Sequence, residues 1–333
     1  MMMQANTQAQ PAGPAGPMRP DSPPHAGRVA KKHSIMKQIW LNRHTYLILL
    51  PCLLFYIIFC YVPMSGLQLA FKEYNAKLGI WGSKWIGGRN YTYVFRDPAF
   101  WRAMTNTIVI SLQRICFQFP APIILALLIN ELRAKRYKRA LQTIYTFPYF
   151  LSWVIISGIM FNLFEAKGLI NNIILTMGGQ TQGFLASQTL IRPLLYITEN
   201  WKGAGWSAII YLASIAGIDA EQYEAAVIDG ASRFQSMIYI TLPGIRETII
   251  VLFILAMGGI MNAGFDQIFN LGNVAVQNKI DILDWYIYRV TFEGYTDFAF
   301  SSAISLMKAI INFAFLLGAN QLSRIVTKTG LFA

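Results

Sequence analysis

The residues best suited to chemistry fall in one stretch, Glu224 to Pro243, which reads EAAVIDGASRFQSMIYITLP and forms a polar island between two apolar runs. Glu224 and Arg233 offer charge-assisted hydrogen bonds that fix the orientation of a partner. Ala225 and Ala226 are small and allow close approach. Gly230 permits a sharp change of direction between two short helices. Ala220, Tyr223, Ala226, Val227 and Gly230 recur at helical spacing and give one apolar or small face. These residue types make a docking surface rather than a bond-making centre. An amphipathic helix lying on lipid would favour Lys and Arg on its polar face. This one carries Asp219, Glu221, Glu224 and Asp229 instead, which disfavours a lipid surface.

A second set of polar side chains lies inside apolar sequence. Lys308 sits near the middle of an apolar run, where a charge is costly unless it meets protein or water. It either contacts a substrate, pairs with a carboxylate such as Glu199 in a structural ion pair, or snorkels along its stem. Gln113, Arg114 and Gln118 either line a path or satisfy backbone freed near Pro120. Tyr149, Trp153, Trp201 and Trp206 are able to stack on sugar rings, although such aromatics more often serve packing or interface anchoring. Gly258, Gly259 and Ala263 have small-residue spacing for close helix contact.

These residues need membrane helices to position them. Of 333 residues, 55% are hydrophobic and 13% charged, against about 25% charged in soluble proteins. Several uncharged runs approach or exceed the roughly 20 residues that span a bilayer. The net charge of +12 clusters in loops, so topology explains it better than nucleic acid. Cys52, Cys60 and Cys116 lie in apolar runs without metal-ligand spacing and read as small buried hydrophobes. His25, His33 and His44 all precede the first span, which excludes an intramembrane histidine relay.

Along the chain, residues 1–30 hold no Phe, Trp or Tyr and read as a disordered cytoplasmic extension. Lys31, Lys32, Lys37 and Arg43 form a basic collar before the first span, which puts the N-terminus inside. The remainder, 31–330, contains six expected spans at about 45–64, 104–131, 141–164, 190–217, 243–265 and 298–321. Arg133, Lys135, Arg136, Lys138 and Arg139 mark a cytoplasmic loop. Counting from that loop places the 219–242 island inside. Residues 65–102, 165–189 and 266–297 then fall outside, although six Lys or Arg in the first argue mildly against it. The fifth span begins at Pro243, a favoured first helical position. The expected fold is therefore an all-α integral membrane protein with six helices and both termini inside.

The chain has no Gly-Lys dipeptide, so it contains no phosphate-cradling GxxxxGK[ST] loop. Energy for any transport must come from an ion gradient or from another polypeptide. An island longer than the two to eight residues that usually join packed helices suggests the latter.

The spacing of Glu224-Ala225-Ala226, Gly230, Ile240, Leu242 and Pro243 resembles the cytoplasmic-loop signature of binding-protein-dependent ABC importer permeases. The resemblance extends over residues 40–330. The segments Phe71–Asn75, Asp97–Trp101 and Asn106-Thr107 resemble the carbohydrate branch. Gly264–Asn270 and Asp284–Val290 resemble its oligo- and polysaccharide subgroup, which includes alginate and aldouronate permeases. The resemblance implies a type I permease fold in a bacterial inner membrane. It implies two partner ATPases that bind ATP-Mg, a second homologous permease and an extracytoplasmic sugar-binding protein. Glu224, Ala225, Ala226, Gly230, Arg233, Leu242 and Pro243 would couple to the ATPase. Lys308, Gln113, Gln118, Tyr149, Trp153, Glu199 and Trp201 are the candidates for the substrate path. No metal and no cofactor is expected in this chain, nor catalysis by it alone. Two rivals remain, a gradient-driven sugar transporter or channel, and a membrane enzyme acting on lipid-linked sugar. For the enzyme, Asp281 and Asp284 are the nearest carboxylate pair.

Overall fold

The computed structural model describes residues 40–294 and 296–327. The expected N-terminal extension, the collar residues Lys31, Lys32 and Lys37, and Lys328 lie outside the described residues. The chain divides into two compact units, 1–62 and 63–333. In the first unit, α1 (Arg43–Tyr56) runs on through a wide helical turn at Ile57–Tyr61 and buries none of its residues. Leu47, Ile48 and Phe59 are all exposed. A helix that is apolar all round without a core to face is suited to lipid.

The second unit opens with a small hairpin, in which β1 (Lys72–Glu73) pairs antiparallel with β2 (Lys84–Trp85). Lys72 is buried there, and its Nζ donates to the carbonyls of Ile80 and Trp81. The structure thus uses one of the six basic residues of this segment as a loop tie. After α2 (Arg89–Arg96), Asp97 caps α3 (Pro98–Gln118) by accepting from the Ala99 amide at 2.8 Å. Pro98 takes the first turn, where its missing N–H costs nothing. Pro120 then opens α4 (Pro120–Asn130).

The next expected span, 141–164, is corrected by the structure. Residues to Thr146 belong to an amphipathic helix, α5 (Lys135–Thr146), followed by a tight turn at Phe147–Phe150. A new helix, α6 (Trp153–Phe164), starts where the Ser152 side chain accepts from the Ile155 amide. Pro148 and a capping serine break the helix inside a run that looks continuous by hydropathy. The apolar stretch long enough to cross is Trp153–Thr176, which includes α7 (Leu169–Thr176).

The centre of the unit is α8 (Ile191–Ala216), which packs against α3, α4 and α5. Gly205 makes the closest approach, because a Cβ there would overlap the Tyr145 carbonyl. Beyond α8 come α9 (Ala220–Ile228) and α10 (Arg233–Ser236), the latter continued by a wide turn at Met237–Thr241. The expected fifth span is also shifted. Pro243 lies in a separate turn before α11 (Arg246–Gly258), which is bent by 59° from the preceding helix, and only the two together are long and apolar enough to cross.

Residues 266–297, expected as an outside loop, fold instead into short helices that include α12 (Phe265–Leu271) and α13 (Leu283–Tyr288). Asp281, Trp285 and Tyr286 are buried among them. These three serve packing, which composition alone cannot separate from loop polarity. The chain closes with α14 (Phe298–Thr327), against which α11 packs, with Gly258 facing Leu316. Among the described residues, four helical stretches are long and apolar enough to cross a membrane, or six if each of two bent pairs is one span. Among the described residues the hairpin holds the only strands, the other regular elements are helices, and the molecule is a multi-pass membrane protein.

Candidate functional site

The island forms a helix, a turn and a second helix. Asp219 starts α9 by accepting from the Glu221 amide at 3.0 Å. The helix ends on Gly230 at φ +79°, with Ala231 N–H bonded to the Ala226 carbonyl and Gly230 N–H to the Val227 carbonyl. That pair of bonds is the glycine-dependent helix stop in which a left-handed residue satisfies the last carbonyls. Ser232 and Gln235 then form a reciprocal capping box at the start of α10. Two short helices meet at a fixed corner as a result. Tyr223 hydroxyl meets Thr241 hydroxyl at 3.0 Å and ties the first helix to the second.

Glu224, Ala225, Gly230, Arg233, Leu242 and Pro243 are exposed, and Ala226 is half-buried. Neither Glu224 nor Arg233 has an ion-pair partner among the described residues. Val227, Ile228 and Phe234 are exposed beside them, at 70%, 86% and 65%. The corner presents free charges and bare apolar side chains together, as a protein-docking surface does.

The substrate-path candidates separate into three groups. The first surrounds a cavity of about 370 Å³ lined by residues of α3, α8, α11 and the break that follows α11. Ser111, Arg114 and Gln118 line it from one face of α3, at spacings of three and four. Ser111 Oγ, Arg114 Nε and Gln118 Nε2 are buried without a hydrogen-bond partner. An unsatisfied buried polar atom costs about 1–3 kcal/mol. All three residues stand on one wall of the cavity. The other edge of the Arg114 guanidinium donates to Gln267 and lies 3.7 Å from Glu199. Gln267 in turn donates to the Leu195 carbonyl and Thr198 hydroxyl.

The break itself wraps this arginine. Ala263 and Gly264 both take left-handed backbone, at φ 44° and 75°. A Cβ at Gly264 would collide with the Arg114 guanidinium. Asn312 of α14 stitches the opened backbone by donating to the Gly258 carbonyl and accepting from the Met261 amide. Gln113 points elsewhere, accepting from the Tyr196 hydroxyl at 2.5 Å.

The second group is aromatic. Tyr149 stacks on Trp206 at 4.6 Å, and Lys202 donates to the Tyr149 and Leu151 carbonyls while lying over the Tyr149 and Trp153 rings. These residues secure the break between α5 and α6. Trp201 is 46% exposed.

The third group corrects an expectation. Lys308 does not meet Glu199; its Nζ donates to both oxygens of Asp284, at 2.6 and 2.8 Å. Asp281 and Asp284 also do not form a carboxylate pair, since Asp281 bonds Arg289 at 2.7 Å and faces Arg102 at 3.8 Å. Burial pushes the Asp281 carboxyl above the ordinary carboxylate range, and Arg289 and Arg102 pull it partly back. Burial also raises the Tyr286 phenol, with further help from its hydrogen bond to Asp97. The three cysteines are exposed rather than buried and form no disulfide. An apolar side chain on a membrane helix faces lipid as readily as core. Among the described residues no His, Cys, Asp or Glu cluster could hold a metal.

Sequence reading missed Gln267, Asn312 and Asp284 as partners. Their polarity inside or beside apolar runs was a signal, but their pairing depends on how distant spans pack.

Comparison with known proteins adds a family. Residues 118–328 match the model of the binding-protein-dependent transport system inner membrane component. The chain is 40% identical to Protein LplB of Bacillus subtilis over 302 residues, covering 90% of this chain and 94% of LplB. It is 36% identical to the polygalacturonan/rhamnogalacturonan transport system permease protein YteP of the same organism, covering 91% and 94%. Its fold matches a chain in the crystal structure of a bacterial alginate ABC transporter in complex with alginate pentasaccharide-bound periplasmic protein. There the TM-score is 0.82 and the identity 36%, with 89% of this chain and 99% of that chain covered.

Proposed function

The chain belongs to the family of binding-protein-dependent transport system inner membrane components, and from that premise we propose that it is a pore subunit of an ATP-driven importer of oligo- or polysaccharide. The saccharide is delivered by an extracytoplasmic binding protein. The observation that carries this reading is the exposed corner at Gly230, set in a chain of this family. Both termini and the 219–242 corner face the cytoplasm, and six spans cross the bacterial inner membrane. Glu224, Ala225, Ala226, Gly230, Arg233, Leu242 and Pro243 form the seat for a separate ATPase subunit. The pore is completed by a second, homologous permease.

In this reading, closing of two ATPases on ATP draws two such corners together. Rigid corners transmit that movement, and the capping box with the glycine stop supplies rigidity here. The substrate path runs past the Arg114 cavity, whose unpartnered donors on Ser111, Arg114 and Gln118 suit saccharide oxygens. Glu199 lies beside it as the countercharge of Arg114. Tyr149 and Trp153 hold the α5–α6 break, and Lys308 is a structural ion pair.

Co-expression with the neighbouring-encoded partners tests the reading. The expected result is a stable assembly containing two permeases and two ATPases, with ATP hydrolysis stimulated by saccharide-loaded binding protein. Saccharide uptake by this chain alone, driven by an ion gradient, would overturn it.

A further inference from the structure

A second cavity, of about 520 Å³, shares no lining residue with the first. Its walls come from the hairpin, α2 and the start of α14. Asn90 lines it and is only 6% exposed. The Asn90 amide nitrogen donates to the carbonyls of Leu69, Ala70 and Lys72, at 3.4, 3.0 and 3.0 Å. Those bonds fix the amide plane and leave Oδ1 as an acceptor with no hydrogen bond among the described residues. Tyr74 lines the same cavity, its ring held edge-on against Phe298 at 5.6 Å. Tyr93 adds a second phenol that is 52% exposed.

The charged groups of the cavity are Glu73, Asp297 and Arg89, and none is in an ion pair among the described residues. Asp297 uses Oδ1 to cap the Phe300 amide at 2.9 Å and keeps Oδ2 free. The cavity thus combines a fixed amide acceptor, two carboxylates, a guanidinium and two aromatic rings. Sugar hydroxyls both donate and accept, so they satisfy all of these groups at once. Aromatic rings offer apolar area to the C–H faces of a pyranose. Concave sites with a few placed polar groups on an aromatic lining are typical small-molecule sites. Carboxylates outnumber cations here, which favours neutral sugar units over uronates.

We propose that this cavity is a second saccharide subsite, for a neutral, hydroxyl-bearing sugar unit. The proposal rests on the reading of the chain as a saccharide permease. Because the two cavities are separate, a short saccharide occupies one at a time, and only a longer chain engages both.

The test uses the whole importer in proteoliposomes, with uptake measured across a ladder of neutral oligosaccharides at fixed binding-protein concentration. Tyr93→Ala and Glu73→Gln alter exposed side chains that make no hydrogen bond, ion pair or ring contact among the described residues. Each is expected to raise the apparent KM for long members about tenfold and to leave short members unchanged. Tyrosine and tryptophan fluorescence of the purified chain, titrated with the longest soluble member, should saturate in the unaltered protein and weaken in both variants. Unchanged KM at every length in both variants would overturn the subsite. So would an equal rise at every length, which indicates loss of binding-protein docking, or saturation by calcium chloride alone that Glu73→Gln abolishes. Absence of any saccharide uptake by the unaltered importer removes the permease reading, and this subsite with it.

Discussion

At the scale of single residues, burial without compensation distinguishes structure from function. Lys308 and Asp284 satisfy each other, with 17% and 24% of their side chains exposed. Removing one partner leaves the other half-buried and unpaired, which costs more than removing both. Lys308→Met should therefore lower stability by about 1–2 kcal/mol, given partial solvent screening. Adding Asp284→Asn should recover most of that and restore uptake. Thermal unfolding in detergent and uptake assays check both; a double variant that remains stable but inactive would assign Lys308 to substrate. Gln118 is the opposite case, since its amide nitrogen is buried and unpartnered. Gln118→Leu removes a polar group that the resting protein does not satisfy. Stability should hold or rise by up to about 1 kcal/mol. The apparent KM for saccharide should rise severalfold if the amide meets the substrate.

At the scale of elements, helix breaks are placed by specific backbone chemistry. Gly205 lets α8 touch the end of α5. Gly205→Leu should force those helices apart and destabilise by about 1–3 kcal/mol, as overpacking does; a melting temperature equal to that of the unaltered protein would contradict the close approach. Gly230 sits at φ +79°. Alanine tolerates that backbone at a cost of about 1–2 kcal/mol, whereas proline is fixed near −65°. Gly230→Ala should keep most coupling, and Gly230→Pro should hydrolyse ATP without uptake while the spans remain inserted. Normal uptake by the proline variant would remove the coupling role. Pro148 and Ser152 both stood in the sequence, but hydropathy averaged over a window hid the break they cause.

At the scale of the whole molecule, large apolar side chains cover much of the surface, from Ile48 at 77% exposed to Ile325 at 72%. In water such a surface would aggregate; in lipid it is the solvent-facing side. The exposed corner at Gly230 and the exposed apolar helices make opposite demands. In the proposed function the corner is covered by an ATPase subunit, and the helices by lipid or a second permease. Extraction of the intact assembly in mild detergent should keep the permease and ATPase subunits together, and Glu224→Lys should release the ATPases by reversing a docking charge. Gel filtration of the two assemblies checks this, and an unchanged elution profile would count against Glu224.

The sequence by itself determined the class and the family resemblance, and it singled out the island that folds into the exposed corner. Those rest on local quantities: apolar run length, charge bias between runs, and a signature confined to about twenty contiguous residues. Tertiary structure alone decided which polar side chains meet. Arg114 is drawn to Gln267 and Glu199, and Lys308 to Asp284 rather than Glu199. It also decided that Asp281, Trp285 and Tyr286, within the segment expected outside, are buried among short helices. Such pairings depend on the rotation and depth of helices far apart in the chain. Periodicity along one helix fixes its face, but only packing fixes what that face meets.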